Sequence, residues 1–362
     1  MLFFYLTSLL KPKMKICYFG IYNPDYSRSR VLLKGLRENG AEVIECQITP
    51  TERFKYWKLF KGHRQIKNYD LMIIGYPNTL GLTLLSKLIC RKKIVLDAFV
   101  SFYDSVIKDR KVYSSYSFRA LKYWLLDWLG CKFADVILLD TEAHINYFVK
   151  EFGIKGEKFK RIFISCDEAI FYPQPRLENI DQFLVHFHGT FIPLQGIEYI
   201  IKAAKLLEGE NIQFNLIGSG QTHQMVVDLS RKLKTKNVNF INFMPQKELV
   251  KYMAQADVCL GIFGSTSKAT RVIPNKAYEA IAMKKPVITA DSPAIRELFE
   301  NRKNCLFCNI ADEKDLAEKI LELKNNPELR KKIAEGGYKL FKERLTPKIL
   351  GKDLKNILEE LL

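Results

Sequence analysis

The chain has 362 residues, with 57 Lys and Arg against 40 Asp and Glu, so its formal net charge is +17. This length fits two domains better than one core, and a hydrophobic content of 48% excludes an intrinsically disordered chain. The positive excess predicts an anionic partner, which is a nucleic acid, an anionic membrane or a phosphate-bearing ligand.

Residues 1–13 precede the first predicted strand. The run LFFYLTSLL is too short to span a bilayer and lacks the basic leader and cleavage site of a signal peptide. We expect either an extension that is not native or a short interfacial anchor. Without a secretory signal, the eight cysteines predict reduced thiols in a cytoplasmic protein. The single CxxC, Cys305 and Cys308, is interpreted as part of a buried strand.

Short apolar runs alternate with amphipathic segments along the first half, as in a parallel α/β sheet. A helix is predicted over Ser29–Asn39. Strands are predicted at 15–19, 42–46, 71–75, 94–97, 135–139 and 161–164.

A linker is predicted at 173–181, where prolines and polar residues interrupt the pattern. A second α/β series begins at FLVHFHG, and the tail from about 327 is helical by pattern. The sequence therefore predicts two Rossmann-like, doubly wound domains facing a cleft. The first covers 14–172, the second covers 182–340, and a terminal helix over 341–362 returns to the first domain.

The most informative segment is TRVIPNKAYEAIAMKKPVITAD, residues 270–291. Asn275 is predicted to cap a helix whose free N–H groups and dipole favour a phosphate. Lys276 adds a cation there, and Arg271 offers a second one for a diphosphate. Glu279 lies on the same helix face as Lys276, and a carboxylate can accept hydrogen bonds from both hydroxyl groups of a ribose. An ordinary helix cap with a solvated Lys and Glu pair is the alternative.

Glycine-containing turns follow two predicted strands of the same domain. Gly189 and Thr190 come directly after one strand, and the run Gly218, Ser219 and Gly220 ends another. Each turn suits the close approach of a phosphate to backbone N–H groups, although each alone is also typical of a tight turn. His186 and His188 are interpreted as core or cleft-lining residues rather than as a metal pair.

These segments together resemble the donor-binding half of the group 1 (GT4-type) glycosyltransferases, which have the GT-B fold. The resemblance covers about 181–325, through HGTFIPLQGIEYIIKAA, FNLIGSG, VNFINFMPQKELVKYMAQADVCLGIF and RVIPNKAYEAIAMKKPVITADSPAIREL. It implies that Glu279 binds the donor ribose and that Lys276, within the run Pro274-Asn275-Lys276, faces the diphosphate.

Two departures from that family pattern change the predicted site. The carboxylate expected eight residues before Glu279 is replaced by Arg271, and Thr190 and Gln195 stand near the places of the usual Arg and Lys. We therefore predict that Arg271 and Lys276 jointly stabilise the leaving diphosphate, with no metal and no cofactor beyond the nucleotide-sugar co-substrate. The resemblance implies retention at the anomeric carbon.

Acceptor-side residues are predicted from the carboxyl ends of strands in the first domain. Asn23, Ser27 and Arg28 follow the first strand, and Asp97 ends the strand KKIVLD. A cap or salt bridge is the alternative for Asp97, and His144 is a weaker candidate.

Residues 51–67 interleave six basic and four aromatic side chains, and 119–130 repeat the pattern. Such faces suit an anionic membrane, while an ordinary helix with an aromatic core stripe is the alternative. The expected partners are a nucleotide-sugar donor, a glycan or lipid-linked acceptor and an anionic membrane surface, with no nucleic acid. The expected location is the cytoplasm, peripheral on the inner face of the membrane.

The predicted activity is glycosyl transfer in the synthesis of a glycan, glycolipid or cell-surface polysaccharide. One alternative is a nucleotide-sugar 2-epimerase on the same fold, which uses no acceptor. The other is a basic membrane-binding or nucleic-acid-binding protein without catalysis, for which the sequence lacks base-stacking motifs.

Overall fold

The first half of the chain folds around a six-stranded parallel sheet; the computed structural model describes residues 13–176 and 181–362. The sheet order is β2-β1-β3-β4-β5-β6. Its strands are β1 (Lys15–Ile21), β2 (Glu42–Ile48), β3 (Leu71–Ile74), β4 (Lys93–Asp97), β5 (Val136–Leu139) and β6 (Phe159–Arg161). The connecting helices are α1 (Ser27–Glu38), α2 (Lys55–His63), α3 (Leu80–Ile89), α4 (Phe118–Phe133) and α5 (Glu142–Phe152), with a π-helical turn at Asp104–Asp109.

The second half forms another six-stranded parallel sheet, in the order β12-β11-β10-β7-β8-β9. Its strands are β7 (Phe183–His188), β8 (Ile212–Ile217), β9 (Val238–Ile241), β10 (Val258–Leu260), β11 (Val287–Ala290) and β12 (Leu306–Cys308). The helices are α6 (Ile197–Leu206), α7 (His223–Leu233), α8 (Gln246–Gln255), α9 (Asn275–Ala282), α10 (Pro293–Arg296), α11 (Glu313–Asn325), α12 (Pro327–Arg344) and α13 (Pro347–Glu359).

Both sheets reverse their winding direction at an inner strand, β1 in the first and β7 in the second. The strand runs are apolar because helices cover both faces, and residues such as Ile16, Ile73, Val185 and Phe187 are fully buried. The predicted fold class of two Rossmann-like, doubly wound domains is confirmed. Ligands of such sheets bind outside the carboxyl ends of the strands, at the point of reversal.

The last strand of the first sheet lies earlier than predicted. The apolar run at 161–164 suggested a strand, but β6 spans Phe159–Arg161. Beyond it, the carbonyl oxygens of Ile162 and Phe163 accept hydrogen bonds from Nη1 of Arg28, at 2.8 and 3.1 Å. These carbonyls are therefore satisfied by a buried side chain instead of a neighbouring strand.

Helix α13 crosses back from the second domain and packs on α1 of the first. Leu354 and Leu358 share one buried apolar cluster with Leu32 and Leu36. The predicted helical tail consists of two helices, because residues 345–346 interrupt the helix between α12 and α13. Of the predicted linker, residues 173–176 and 181 have no regular structure, and 177–180 lie outside the described residues, as do 1–12 of the predicted extension.

The crossing of α1 and α13 depends on two glycines. A Cβ atom on Gly351 would lie 2.1 Å from the carbonyl carbon of Gly35, which no real side chain tolerates. We expect Gly351→Ala to lower the free energy of unfolding by about 1–3 kcal/mol through overpacking, although alanine favours helix. Urea unfolding measures this, with Lys352→Ala on the exposed face of the same helix as control. Equal stability of the two variants would contradict the close crossing.

All eight cysteines are buried and free. Cys305 precedes β12 and Cys308 ends it, as the buried-strand interpretation of the CxxC predicted. Burial raises the pKa of both thiols, so neither is an activated thiolate.

Candidate active site

A cavity of about 470 Å³ lies between the carboxyl ends of the two sheets. Its wall in the second domain is formed by residues after β7 and at the start of α9. These include His188, Gly189, Thr190, Gln195, Lys276 and Glu279. Its wall in the first domain is more aromatic and includes Tyr26, Tyr76, Phe99, Phe102, Arg110 and Asp140. Five of the predicted site residues therefore line one cavity, namely Gly189, Thr190, Asn275, Lys276 and Glu279.

Lys276 is the cation at the first turn of α9. Its side chain is buried, its Nζ donates a hydrogen bond to Oε1 of Gln195, and Nζ lies 3.9 Å from the centroid of the Phe187 ring. Burial lowers the pKa of Lys276 to about 7, and nearby Glu279 opposes that shift. Because the helix also presents free N–H groups here, an anion bound at this point would meet both the lysine and the positive end of the helix dipole.

Glu279 ends a chain of three buried, hydrogen-bonded side chains. Its Oε2 accepts from Nε2 of His188 at 2.7 Å, and Nδ1 of His188 lies 2.9 Å from Nε2 of His186. Burial, together with His188, lowers the pKa of His186 well below its ordinary value, so His186 is neutral. The two histidines are core and cleft-lining residues, as predicted, and they fix the orientation of the Glu279 carboxylate. Its other oxygen, Oε1, accepts no hydrogen bond from residues 13–176 or 181–362.

The two glycine turns differ in their relation to the cavity. Gly189 and Thr190 line it, whereas Gly218, Ser219 and Gly220 do not, and Ser219 and Gly220 are exposed. A Cβ atom on Gly218, whose φ is 142°, would come within 2.0 Å of the Gly189 carbonyl oxygen. The second turn therefore supports the backbone of the first.

Asn275 does not cap α9, contrary to the prediction. The helix begins at Asn275 itself, and Pro274 is the capping residue, with no side-chain hydrogen bond. The fixed extended backbone of proline suits that position, since φ is −71° and ψ is 143°. The Asn275 side chain is therefore left available to the cavity that it lines.

Arg271 is not brought together with Lys276. Its Nη2 lies 2.7 Å from Oδ1 of the buried Asp104 of the first domain, and its guanidinium stacks over Tyr147 at 4.2 Å. Arg271 is absent from the cavity lining, so its predicted role beside the diphosphate is corrected to an interdomain ion pair. The physical reason is the buried Asp104 carboxylate, which needs a cation.

Two other cations line the cavity and were missed by sequence reasoning. Lys268 is buried, its Nζ donates to Oγ of Ser105 across the domain boundary, and burial lowers its pKa. Arg110 follows the π-helical turn, and its buried Nε has no partner within the described residues. The run GSTSKATR before the donor motif was a signal for Lys268, whereas nothing in the sequence around Arg110 marks it.

None of the four predicted acceptor-side residues lines the cavity. Arg28 and Asp97 form a fully buried ion pair at 2.8 Å inside the first domain. Ser27 donates to the carbonyl of Ser165 at 2.9 Å, and Asn23 is exposed and accepts from the N–H of Asp25 at 3.0 Å. The salt-bridge alternative for Asp97 is therefore correct, Arg28 and Ser27 are likewise held by contacts within the fold, and the acceptor role of the exposed Asn23 stays a prediction.

Aromatic rings, instead of the four predicted residues, form the wall of the cavity in the first domain. The Tyr76 ring centroid lies 4.8 Å from that of Phe99, 5.6 Å from that of Tyr26 and 6.1 Å from that of Phe102. Apolar surroundings raise the pKa of Tyr76 to about 12, so its hydroxyl stays protonated. Such a surface can stack against the apolar face of a sugar ring while the hydroxyl groups remain available for hydrogen bonding.

Two further classes of feature bear on function. Among the described helices, none is both long and apolar enough to cross a bilayer. Within the same residues, no three His, Cys, Asp or Glu side chains converge in the manner of a metal site.

Comparison with known proteins finds a family that the second half of the chain resembles. Residues 170–340 match the family model of the group 1 glycosyl transferases. An uncharacterised glycosyltransferase of Methanocaldococcus jannaschii is 29% identical over 157 residues, which are 43% of this chain and 42% of that protein. Chitobiosyldiphosphodolichol beta-mannosyltransferase of Kluyveromyces lactis is 22% identical over 321 residues, 80% of this chain and 69% of that protein. The chain spans about half the length of several curated relatives, from 42% to 61% for three of them.

The fold is shared along nearly the whole chain. The structure of HepE from Anabaena, solved with UDP and glucose, aligns with 96% of this chain and 100% of its own, with a TM-score of 0.73 and 16% identity. The two-domain GT-B architecture is therefore the architecture of this protein.

Proposed function

We propose that this chain transfers a sugar from a nucleotide-diphosphate sugar to an acceptor, since its residues 170–340 match the family model of the group 1 glycosyl transferases. The observation that carries the proposal is the pairing of Lys276 and Glu279 on one face of α9, at the wall of an interdomain cavity. One side chain suits a diphosphate and the other suits a vicinal diol, at the spacing of a single helical turn. A hexosyl donor is the proposed class.

In this proposal the diphosphate lies against the amino end of α9. Lys276 and the helix N–H groups bind it, and Gly189 allows close approach because a Cβ there would lie only 3.2 Å from the Lys276 Nζ. Arg110 and Lys268 supply further positive charge in place of Arg271. Breaking the sugar–phosphate bond leaves negative charge on the diphosphate, and preorganised cations lower that barrier. We propose that these side chains do this without a metal ion.

Glu279 is proposed to bind the donor ribose through Oε1, since Oε2 is already held by His188. The sugar then lies toward the wall of the first domain, where the acceptor hydroxyl attacks the anomeric carbon.

We propose retention of configuration at the anomeric carbon, as the family resemblance implies. The anomeric proton coupling of the product, measured by NMR, tests it. A nucleotide-sugar 2-epimerase remains the alternative enzyme, and an activity without any acceptor would favour it.

A glycan or lipid-linked acceptor is proposed, and a relative named for a dolichol diphosphate acceptor supports the lipid-linked class.

Helices α2 and α3, which pack together, expose apolar and basic side chains. Phe54, just before α2, is 80% exposed, and Trp57 on α2 is 62% exposed. Leu88 on α3 is 84% exposed. We propose that this surface binds an anionic membrane, on the cytoplasmic face, where it would place the cleft near a lipid-linked acceptor.

The double substitution Phe54→Ser with Trp57→Ser is expected to weaken binding to vesicles containing anionic lipid by about tenfold, because two inserted rings are lost. Flotation at low salt measures this. Phe243→Ser is the matched control, since Phe243 is 79% exposed but lies in the second domain. If the unsubstituted protein stays with the unbound fraction at low salt, the membrane proposal is wrong.

The donor proposal is tested by a thermal-shift screen with UDP-, GDP-, ADP- and CMP-linked sugars. A bound donor should raise the melting temperature by mass action, and one nucleotide should dominate. Product analysis with the selected donor then separates transfer from epimerisation. If none of these donors shifts the melting temperature, a non-catalytic basic membrane-binding or nucleic-acid-binding protein becomes the better interpretation.

A further inference from the structure

A buried carboxylate lies on the cavity wall that faces the proposed donor site. Asp140 directly follows β5 and is 1% exposed, yet it lines the cavity. Its Oδ1 accepts a hydrogen bond from Nδ1 of His144 at 2.8 Å. Its Oδ2 is buried and has no partner within the described residues. A buried carboxylate oxygen that accepts no hydrogen bond costs folding free energy. Its presence at a ligand cavity therefore indicates that a ligand supplies the hydrogen-bond donor.

The neighbouring cations are already occupied. Arg28 is within electrostatic reach of Asp140, but its guanidinium binds Asp97 and the carbonyls of Ile162 and Phe163. Lys268 is also within reach, and its Nζ donates to Ser105. Neither cation therefore forms a hydrogen-bonded ion pair with Asp140, and within the described residues its Oδ2 has no hydrogen-bond donor.

We propose that Asp140, oriented by His144, binds a hydroxyl group of the transferred sugar. This inference rests on the proposed donor site. With the diphosphate at Lys276 on one wall, the next group along the donor is the sugar, and Asp140 lies on the opposite wall of the same cavity. A carboxylate with one free oxygen accepts hydrogen bonds from hydroxyl groups, which a sugar supplies and a nucleoside diphosphate lacks at that end. Asp140 is a sugar-binding residue, and His144 is a positioning residue.

His144 is suited to this role by its own burial. It is 0% exposed, sits in the first turn of α5, and its Nε2 has no partner within the described residues. Within the described residues the one hydrogen bond of the imidazole is to Oδ1 of Asp140, so the ring holds that oxygen and leaves Oδ2 without a partner in a residue that lines the cavity. Substituting His144 should therefore weaken the same binding step through Asp140, and by less than substituting Asp140 itself.

The test compares the affinity for a nucleotide with that for the matching nucleotide sugar. Isothermal titration of UDP against UDP-glucose, and of GDP against GDP-mannose, gives the contribution of the sugar. Asp140→Asn is expected to weaken nucleotide-sugar binding about tenfold and to leave the affinity for the nucleoside diphosphate within about twofold. His144→Phe should shift the nucleotide-sugar affinity in the same direction by a smaller factor. Asp140→Ser repeats the measurement if Asp140→Asn does not fold.

Asp97→Asn is the matched control, because Asp97 is a buried carboxylate at the end of the adjacent strand but does not line the cavity. An unchanged ratio of nucleotide-sugar to nucleotide affinity in Asp140→Asn would overturn the inference. An effect confined to the acceptor KM would overturn it too, by assigning Asp140 to the acceptor. Failure of the unsubstituted protein to bind any of these nucleotides would instead refute the donor site itself.

Discussion

Replacing Lys276 with alanine is expected to lower kcat/KM for the nucleotide-sugar donor by about two to three orders of magnitude. The lysine is the cavity cation at the amino end of α9, and its side chain is 5% exposed, so water provides little of the missing stabilisation. Charge that develops on the leaving diphosphate would meet only the helix N–H groups and the more distant cations. Steady-state kinetics with the donor selected by thermal shift measure the loss.

The same lysine predicts a pH dependence of donor binding. In the empty cavity burial lowers the pKa of Lys276 to about 7, so the side chain is neutral at higher pH. A bound diphosphate favours the charged form, so donor binding above pH 7 is accompanied by proton uptake. The Kd for a nucleotide sugar should therefore rise about tenfold between pH 6 and pH 8, as the protonated fraction falls. A nucleotide sugar is the right probe, because its diphosphate diester does not titrate in that range.

Two controls separate this role from a general loss of charge. Lys284→Ala removes a lysine just after α9 that is exposed and paired with Glu335, and it should leave donor binding unchanged. Lys276→Arg keeps the charge at all accessible pH and should remove the pH dependence while retaining part of the affinity. If Lys276→Ala bound the donor with unchanged Kd, the diphosphate would lie elsewhere in the cavity.

The wall of the cavity in the second domain could be predicted because its signals are local. Gly189 follows a buried strand, and Lys276 and Glu279 begin a helix one turn apart, so secondary structure alone directs them to one edge of the sheet. The glycine run at 218–220 was assigned to the same edge for the same reason. Sequence alone did not distinguish the turn that lines the cavity from the turn that does not, since that depends on how the two loops pack against each other.

The wall of the cavity in the first domain could not be predicted, because it is assembled by contacts between residues distant in sequence. Tyr76, Phe102 and Arg110 come from loops without a motif, and the wall exists only once these loops pack together. The orientation of Arg271 could not be predicted for the same reason, although its position in the motif suggested contact with a phosphate. Its direction is set by Asp104, a carboxylate 167 residues away in the chain.

Arg28→Met is expected to destabilise the fold rather than to weaken substrate binding. The guanidinium is 1% exposed and its partner Asp97 is 0% exposed, with Nη2 2.8 Å from Oδ1. Removing the cation leaves a buried carboxylate without its counterion, which typically costs about 3–5 kcal/mol of unfolding free energy. It also leaves the carbonyls of Ile162 and Phe163 without donors, where the chain leaves β6. Urea unfolding, followed by tryptophan fluorescence, measures the loss.

The double substitution Arg28→Met with Asp97→Leu decides whether the loss comes from the unpaired charge. Because replacing a buried ion pair by apolar side chains is often nearly neutral, the double variant should regain much of the stability that Arg28→Met loses. Donor and acceptor KM should stay within about twofold in both variants at a temperature where they are folded, since neither side chain lines the cavity. Normal stability of Arg28→Met with a raised KM would contradict this prediction and would assign Arg28 to substrate binding.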